Sequence, residues 1–168
     1  MSETKKEKVN VLFVCTGNTC RSPMAEQLFS DWLKKEKSTS VADVSSAGIY
    51  AENGKPMTPE AAGVLFESGI SVRPHKSRLL TIDVIQNADV IVCMTEEHRD
   101  ALLHSFSYLA AASDGRYRIV GTVRELTGTD VGDPFGRGVD AYRVAANALS
   151  EMCAPLFAEV CRYRDEYK

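Results

Sequence analysis

A chain of 168 residues, 44% hydrophobic and 26% charged, has the make-up of one ordinary soluble domain, which excludes disordered, collagenous and membrane classes. The formal net charge of −3 excludes a broad basic surface for nucleic-acid phosphates or anionic lipid, so any anion site must be local. Five cysteines without the spacing of a disulfide framework fit a reducing compartment, and His75, His98 and His104 form no Cys/His cluster at zinc-ligand spacing.

Residues 1–8 are polar and charged, read as a flexible leader without the apolar run of a signal peptide, and residues 9–168 are expected to form a single domain. No stretch reads as a membrane span. Val9-Asn10-Val11-Leu12-Phe13-Val14 is a short, β-rich apolar run that predicts a buried strand with Cys15 at its end. The small, polar segment from Thr16 to Arg21 reads as a loop, and Ser22-Pro23 is expected to cap and open a helix. Met24, Leu28, Phe29, Trp32 and Leu33 recur at helical spacing and give that helix a packing face.

Val41 to Ser46 predicts a second strand, Asn53-Gly54 a turn, and Thr58-Pro59-Glu60 the start of a helix that ends near Gly69. A short helix over about 81–87 precedes a third strand over 88–94, after which Thr95 caps a helix running to about Phe106. Ala110 to Gly115 reads as a loop, 117–123 as a fourth strand, and 128–138, rich in Gly and Asp, as a long functional surface loop. The last helix, about 140–164, carries Tyr142, Ala145, Leu149, Met152 and Leu156 on one face. Strands alternating with helices predict an α/β fold, a single doubly wound domain with a four-stranded parallel sheet flanked by helices and a ligand site at the strands' carboxyl ends.

Cys15 and Arg21 bracket a loop between a buried strand and a helix N-terminus, where unpaired backbone N–H groups and the helix dipole favour an anion. The same field favours the Cys15 thiolate, the form that attacks, and the Ser22 hydroxyl could donate a hydrogen bond to that sulfur. Arg21 offers a planar fork of donors to two oxygens of a phosphoryl group. Asp133, in a loop stiffened by Pro134, is the candidate to protonate the leaving group and then activate water, with Asp130 as the fallback. No metal or cofactor is implied.

Val11 to Glu26, with its Cys15-Thr16-Gly17-Asn18-Thr19-Cys20-Arg21-Ser22-Pro23 loop, closely resembles the low-molecular-weight protein-tyrosine phosphatases. The resemblance continues through Ser46-Ala47-Gly48, His75-Lys76-Ser77-Arg78, Ala88-Asp89 and Asp133-Pro134-Phe135. With no signal-like leader or membrane span, a cytoplasmic protein is expected, and the resemblance implies an enzyme acting on phosphorylated proteins, with a phosphocysteine on Cys15, phosphate held by Arg21 and by the loop Thr16, Gly17, Asn18, Thr19, Cys20 and Ser22, and acid–base work by Asp133. It further implies a supporting network of Asn18, Ser22, Ser46 and His75, and a Cys20 that can form a protective disulfide with the nucleophile.

Thr19 stands where tyrosine-specific members generally carry an aliphatic residue, and resembles the bacterial protein-arginine phosphatase branch. Phe135 is followed by Gly136 where many tyrosine-specific members place a second ring. Thr19 and Phe135 are therefore the expected specificity residues, with phosphoarginine the expected substrate and phosphotyrosine the alternative. Arsenate reduction and non-catalytic phosphate binding are the competing functions on the same fold. Cys93, Cys153 and Cys161 lie on apolar periodic faces and read as packing residues, His75 as structural, and His98 and His104 as ordinary helix-surface residues. A monomer is expected.

Overall fold

The computed structural model describes residues 5, 7–107 and 117–168. The expected loop at Ala110 to Gly115 lies outside those residues. Val9–Cys15 forms strand β1, Ala42–Gly48 β2, Val90–Cys93 β3 and Ile119–Thr122 β4, paired in parallel in the order β2-β1-β3-β4. The sheet is thus the four-stranded parallel one that the alternating pattern predicts. β1 is central because its residues are apolar on both faces, as a strand covered from both sides must be.

The alternation along β1 divides the core. Val9, Val11 and Phe13 point into a cluster with helix α1 (Arg21–Lys35), helix α2 (Pro59–Glu67) and the long helix α6 (Val139–Tyr167). Leu12 and Val14 point the other way, to Ile85 of α3 (Ile82–Gln86) and Leu102 of α4 (Glu96–Ser105). Helices on both faces make the fold doubly wound. Trp32 of α1 and Phe157 of α6 meet with ring centroids 4.9 Å apart, which seals the seam between those two helices.

Local chemistry starts most of the helices. Thr58, Thr81, Thr95 and Thr122 each cap a helix by accepting a backbone N–H, a contact worth ~1 kcal/mol apiece. Gly69, just past α2, has φ 79°, the left-handed turn that stops a helix there.

Three expectations need correction. α1 begins at Arg21 with Cys20 at its cap position and no side-chain cap bond, because the Ser22 hydroxyl is committed to the loop below. The fourth strand stops at Thr122, and residues 123–127 form an unpredicted helix, α5 (Val123–Thr127). α6 is 29 residues long, runs through Pro155, and by length and composition alone could cross a membrane. Its apolar residues Tyr142, Leu149, Met152, Leu156 and Val160 are nonetheless buried in the core.

Asp89, fully buried before β3, ties three ends of the domain together. Its carboxylate accepts from Asn10 N–H at 2.8 Å and the Tyr163 hydroxyl at 3.3 Å, and Lys168 Nζ lies 3.4 Å away.

Candidate active site

β1 delivers Cys15 to the carboxyl edge of the sheet, and the chain reverses through residues 16–20 before α1 starts at Arg21. So tight a turn puts Asn18 at φ 57°, a left-handed conformation that few residues other than glycine adopt. The Asn18 side chain holds it there. Fully buried, it donates from Nδ2 to Ser22 Oγ and to Ser46 Oγ, each at 2.9 Å, and accepts at Oδ1 from Arg78 N–H, also at 2.9 Å. His75 Nε2–H donates to the Asn18 carbonyl at 2.7 Å. The loop is therefore braced from β2 and from the segment 75–78, and Ser22, Ser46 and His75, the other three members of the network that the resemblance implies, meet at Asn18.

The sulfur of Cys15 collects donors. Ser22 Oγ lies 2.9 Å from it, and since that oxygen already accepts an Asn18 amide hydrogen, its own O–H is free to donate to sulfur. Asn18 N–H approaches the same sulfur at 3.3 Å. The first turn of α1 carries no acidic side chain, so its N-terminal partial charge faces the loop uncompensated.

Arg21 is 6% exposed and donates from one terminal nitrogen to the Val131 carbonyl at 3.0 Å, which leaves its other donors for a ligand. Asp133 Oδ2 lies 3.9 Å from the second terminal nitrogen, and Oδ1 accepts Phe135 N–H at 3.1 Å, an Asx turn that aims the carboxylate at the site. Cys15, Thr19, Arg21, Asp133 and Phe135 line one cleft of about 250 Å³, with Phe135 70% exposed at its rim. Asp130 sits 3.6 Å from Arg124, an ion pair that occupies the fallback acid.

Cys20 packs beneath the loop, 3.5 Å from the Tyr142 hydroxyl and 3.6 Å from Thr58 Oγ1. Cys93 and Cys153 are buried, and burial pushes each thiol up to about 12, so both are inert packing residues as expected. Cys161 is half-buried and also pushed up by desolvation. Among the described residues no cluster of His, Cys, Asp and Glu could hold a metal ion.

His98 overturns its expectation. It is buried, with Nε2 2.8 Å from Thr16 Oγ1 and Nδ1 3.1 Å from Thr95 Oγ1, and burial together with the nearby Arg21 pushes it down to about 4. His104 is exposed, as read. Gly48, read from the sequence only as a tight step after the second strand and as part of the resemblance, leaves no room for a side chain: a Cβ there would meet Thr16 O at 2.5 Å and Asn18 N at 2.9 Å. Gly48 is the last residue of β2, where the chain turns beside the loop, and a glycine at such a strand end was the available sign of close backbone approach.

The sequence pattern of the low molecular weight phosphotyrosine protein phosphatase family matches residues 10–166. The chain belongs to that family. A protein-arginine-phosphatase of Bacillus subtilis is 38% identical over 160 residues, covering 93% of this chain and 99% of the relative. The low molecular weight protein-tyrosine-phosphatase PtpB of Staphylococcus haemolyticus is 32% identical, covering 88% and 97%. A solved structure of YwlE arginine phosphatase, a mutant with a phosphorylated active-site serine, superposes with TM-score 0.79 at 37% identity, covering 92% of this chain and 97% of that one. Low molecular weight phosphatases are cysteine-dependent phosphoprotein phosphatases, and this chain is one of them.

Proposed function

We propose that the enzyme hydrolyses phosphoarginine in proteins, with Cys15, Arg21 and Asp133 as its catalytic groups. Cys15 attacks phosphorus as the thiolate, and an S–P bond forms as the P–N bond breaks. Asp133 gives its proton to the departing guanidine nitrogen. Water then attacks phosphorus and loses a proton to Asp133, the S–P bond breaks, and phosphate leaves with the thiolate restored. Arg21 and the loop N–H groups hold the equatorial oxygens, where charge accumulates in both steps.

The observation that carries the arginine reading is Thr19, half-buried in the cleft wall with Phe135 at the rim. A threonine hydroxyl can accept from a guanidinium N–H, whereas the aliphatic residue of tyrosine-specific members offers a phenyl ring only apolar contact. Phe135 stacks on either plane and so discriminates little. The identity with the Bacillus subtilis protein-arginine-phosphatase supports the same substrate.

The test is kcat/KM for a phosphoarginine against a phosphotyrosine substrate, in wild type and in Thr19→Ile. An arginine preference in wild type that falls at least tenfold in the variant is expected, the size of effect one pocket group gives. A tyrosine preference in wild type leaves a tyrosine phosphatase, the reading that PtpB favours. Five free cysteines fit a reducing cytoplasm, and we take the enzyme to act there as a monomer, which its sedimentation checks.

A further inference from the structure

The geometry points to His98 as a positioning residue of the phosphate loop, its imidazole tying Thr16, the residue next to the nucleophile, to the start of α4. This rests on the reading of Cys15 as the nucleophile. The evidence is where the ring sits. Met94 N–H donates to Val14 O at 3.0 Å, so the turn from β3 into α4 lies beside the end of β1, where the loop begins. Thr95 caps α4 by accepting His98 N–H at 3.3 Å, and the imidazole then lies between two hydroxyls, Thr95 Oγ1 at Nδ1 and Thr16 Oγ1 at Nε2.

Both ring nitrogens are thus spent on holding, and a neutral imidazole satisfies both as one donor and one acceptor. The depressed basicity of His98 agrees, since a cation here would face the Arg21 guanidinium. The ring borders a cleft with Arg21, Asp130 and Asp133, but it offers that cleft no free nitrogen to act on a leaving group.

Thr16 is gripped from the other side as well. Its carbonyl accepts Tyr50 N–H at 3.0 Å and the Cys15 carbonyl accepts Ile49 N–H at 2.9 Å, both from the chain just after β2. The backbone of Thr16 therefore belongs to the β2 side of the sheet and its side chain to the β3 side. Loop N–H groups that must converge on phosphoryl oxygens within a few tenths of an ångström gain from such two-sided anchoring, because small misplacements of reacting groups are costly.

The experiment compares His98→Ala, His98→Gln, Thr16→Val and the His98→Ala/Thr16→Val double variant, with Cys15→Ser alongside, below their melting temperatures. Expected are losses of about tenfold or more in kcat for His98→Ala and for Thr16→Val, with KM less affected and vanadate inhibition weakened by a matching factor. The double variant should be no worse than the poorer single, and His98→Gln, which can still bond Thr16, should recover most of the loss. Losses that multiply, or a His98→Ala enzyme that melts earlier but keeps wild-type kcat and vanadate affinity, overturn the role of His98 and leave Cys15 untouched. A Cys15→Ser enzyme that still turns over overturns the nucleophile assignment and with it this inference.

Discussion

Asn18 carries a strained backbone conformation because its side chain and carbonyl are engaged on every side. Each bond contributes of order 1 kcal/mol, and together they exceed the cost of a left-handed non-glycine residue. The neighbouring Cys20 sits one step from that scaffold, against Tyr142 and Thr58. We propose that peroxide oxidises Cys15 to the sulfenic acid and that Cys20 then displaces water to give a disulfide, which a thiol reductant reopens. Peroxide-treated wild type should regain most of its activity on reduction, and Cys20→Ser should regain little. Equal recovery in the two proteins removes Cys20 from any protective role.

At the scale of elements, the site is a junction of turns, and β2 approaches the loop closely at Gly48. A methyl there would collide with backbone, which cannot rotate away as a side chain can. Gly48→Ala should therefore destabilise the protein by about 1–3 kcal/mol, an overpacking cost, and should also lower kcat, since the displaced atoms are the Thr16 carbonyl and the Asn18 amide. Thermal melting with a turnover assay checks both, and a variant as stable and as active as wild type would contradict the geometry. The strands and long helices were legible because apolar runs and helical periodicity are local signals. Other features were not. Ser22-Pro23 carries a capping signature, but the hydroxyl is taken by Cys15 and Asn18, partners that only the folded loop brings near. Residues 123–127 are too few for any period to show. His98 looked like a surface residue because its own helix is polar, and nothing within that helix reveals that β3 brings its first turn beside Thr16.

For the molecule as a whole, His98 makes acid stability a reporter of the site. Its folded-state pKa of about 4 lies below the ordinary value of 6.5, so the unfolded chain binds the extra proton first as pH falls. Stability is unaffected above pH 6.5, declines between there and about 4, and loses nothing further from this group below that. The wild-type melting temperature should fall more steeply than that of His98→Gln over this window, despite the opposing pull of Asp133 and Asp130 on the histidine. Glu26, whose pKa burial raises, has an opposite influence in both proteins and drops out of the difference. Parallel slopes would mean that the ring is not held neutral in the native state.

The Tyr142 hydroxyl against Cys20 ties completion of the pocket to the docking of α6. Cys15 and Arg21 are synthesised before Gly48, Arg78, His98, Val131 and Tyr142, which must all arrive before the pocket around them is complete. Every strand pairing among the described residues is parallel, so each needs a long crossover before it can form, and such topologies fold slowly. A chain that has not docked α6 thus holds Cys15 without the Tyr142 contact that supports the loop from beneath. The onset of turnover during synthesis or refolding should therefore mark the docking of α6, not formation of the loop that holds Cys15.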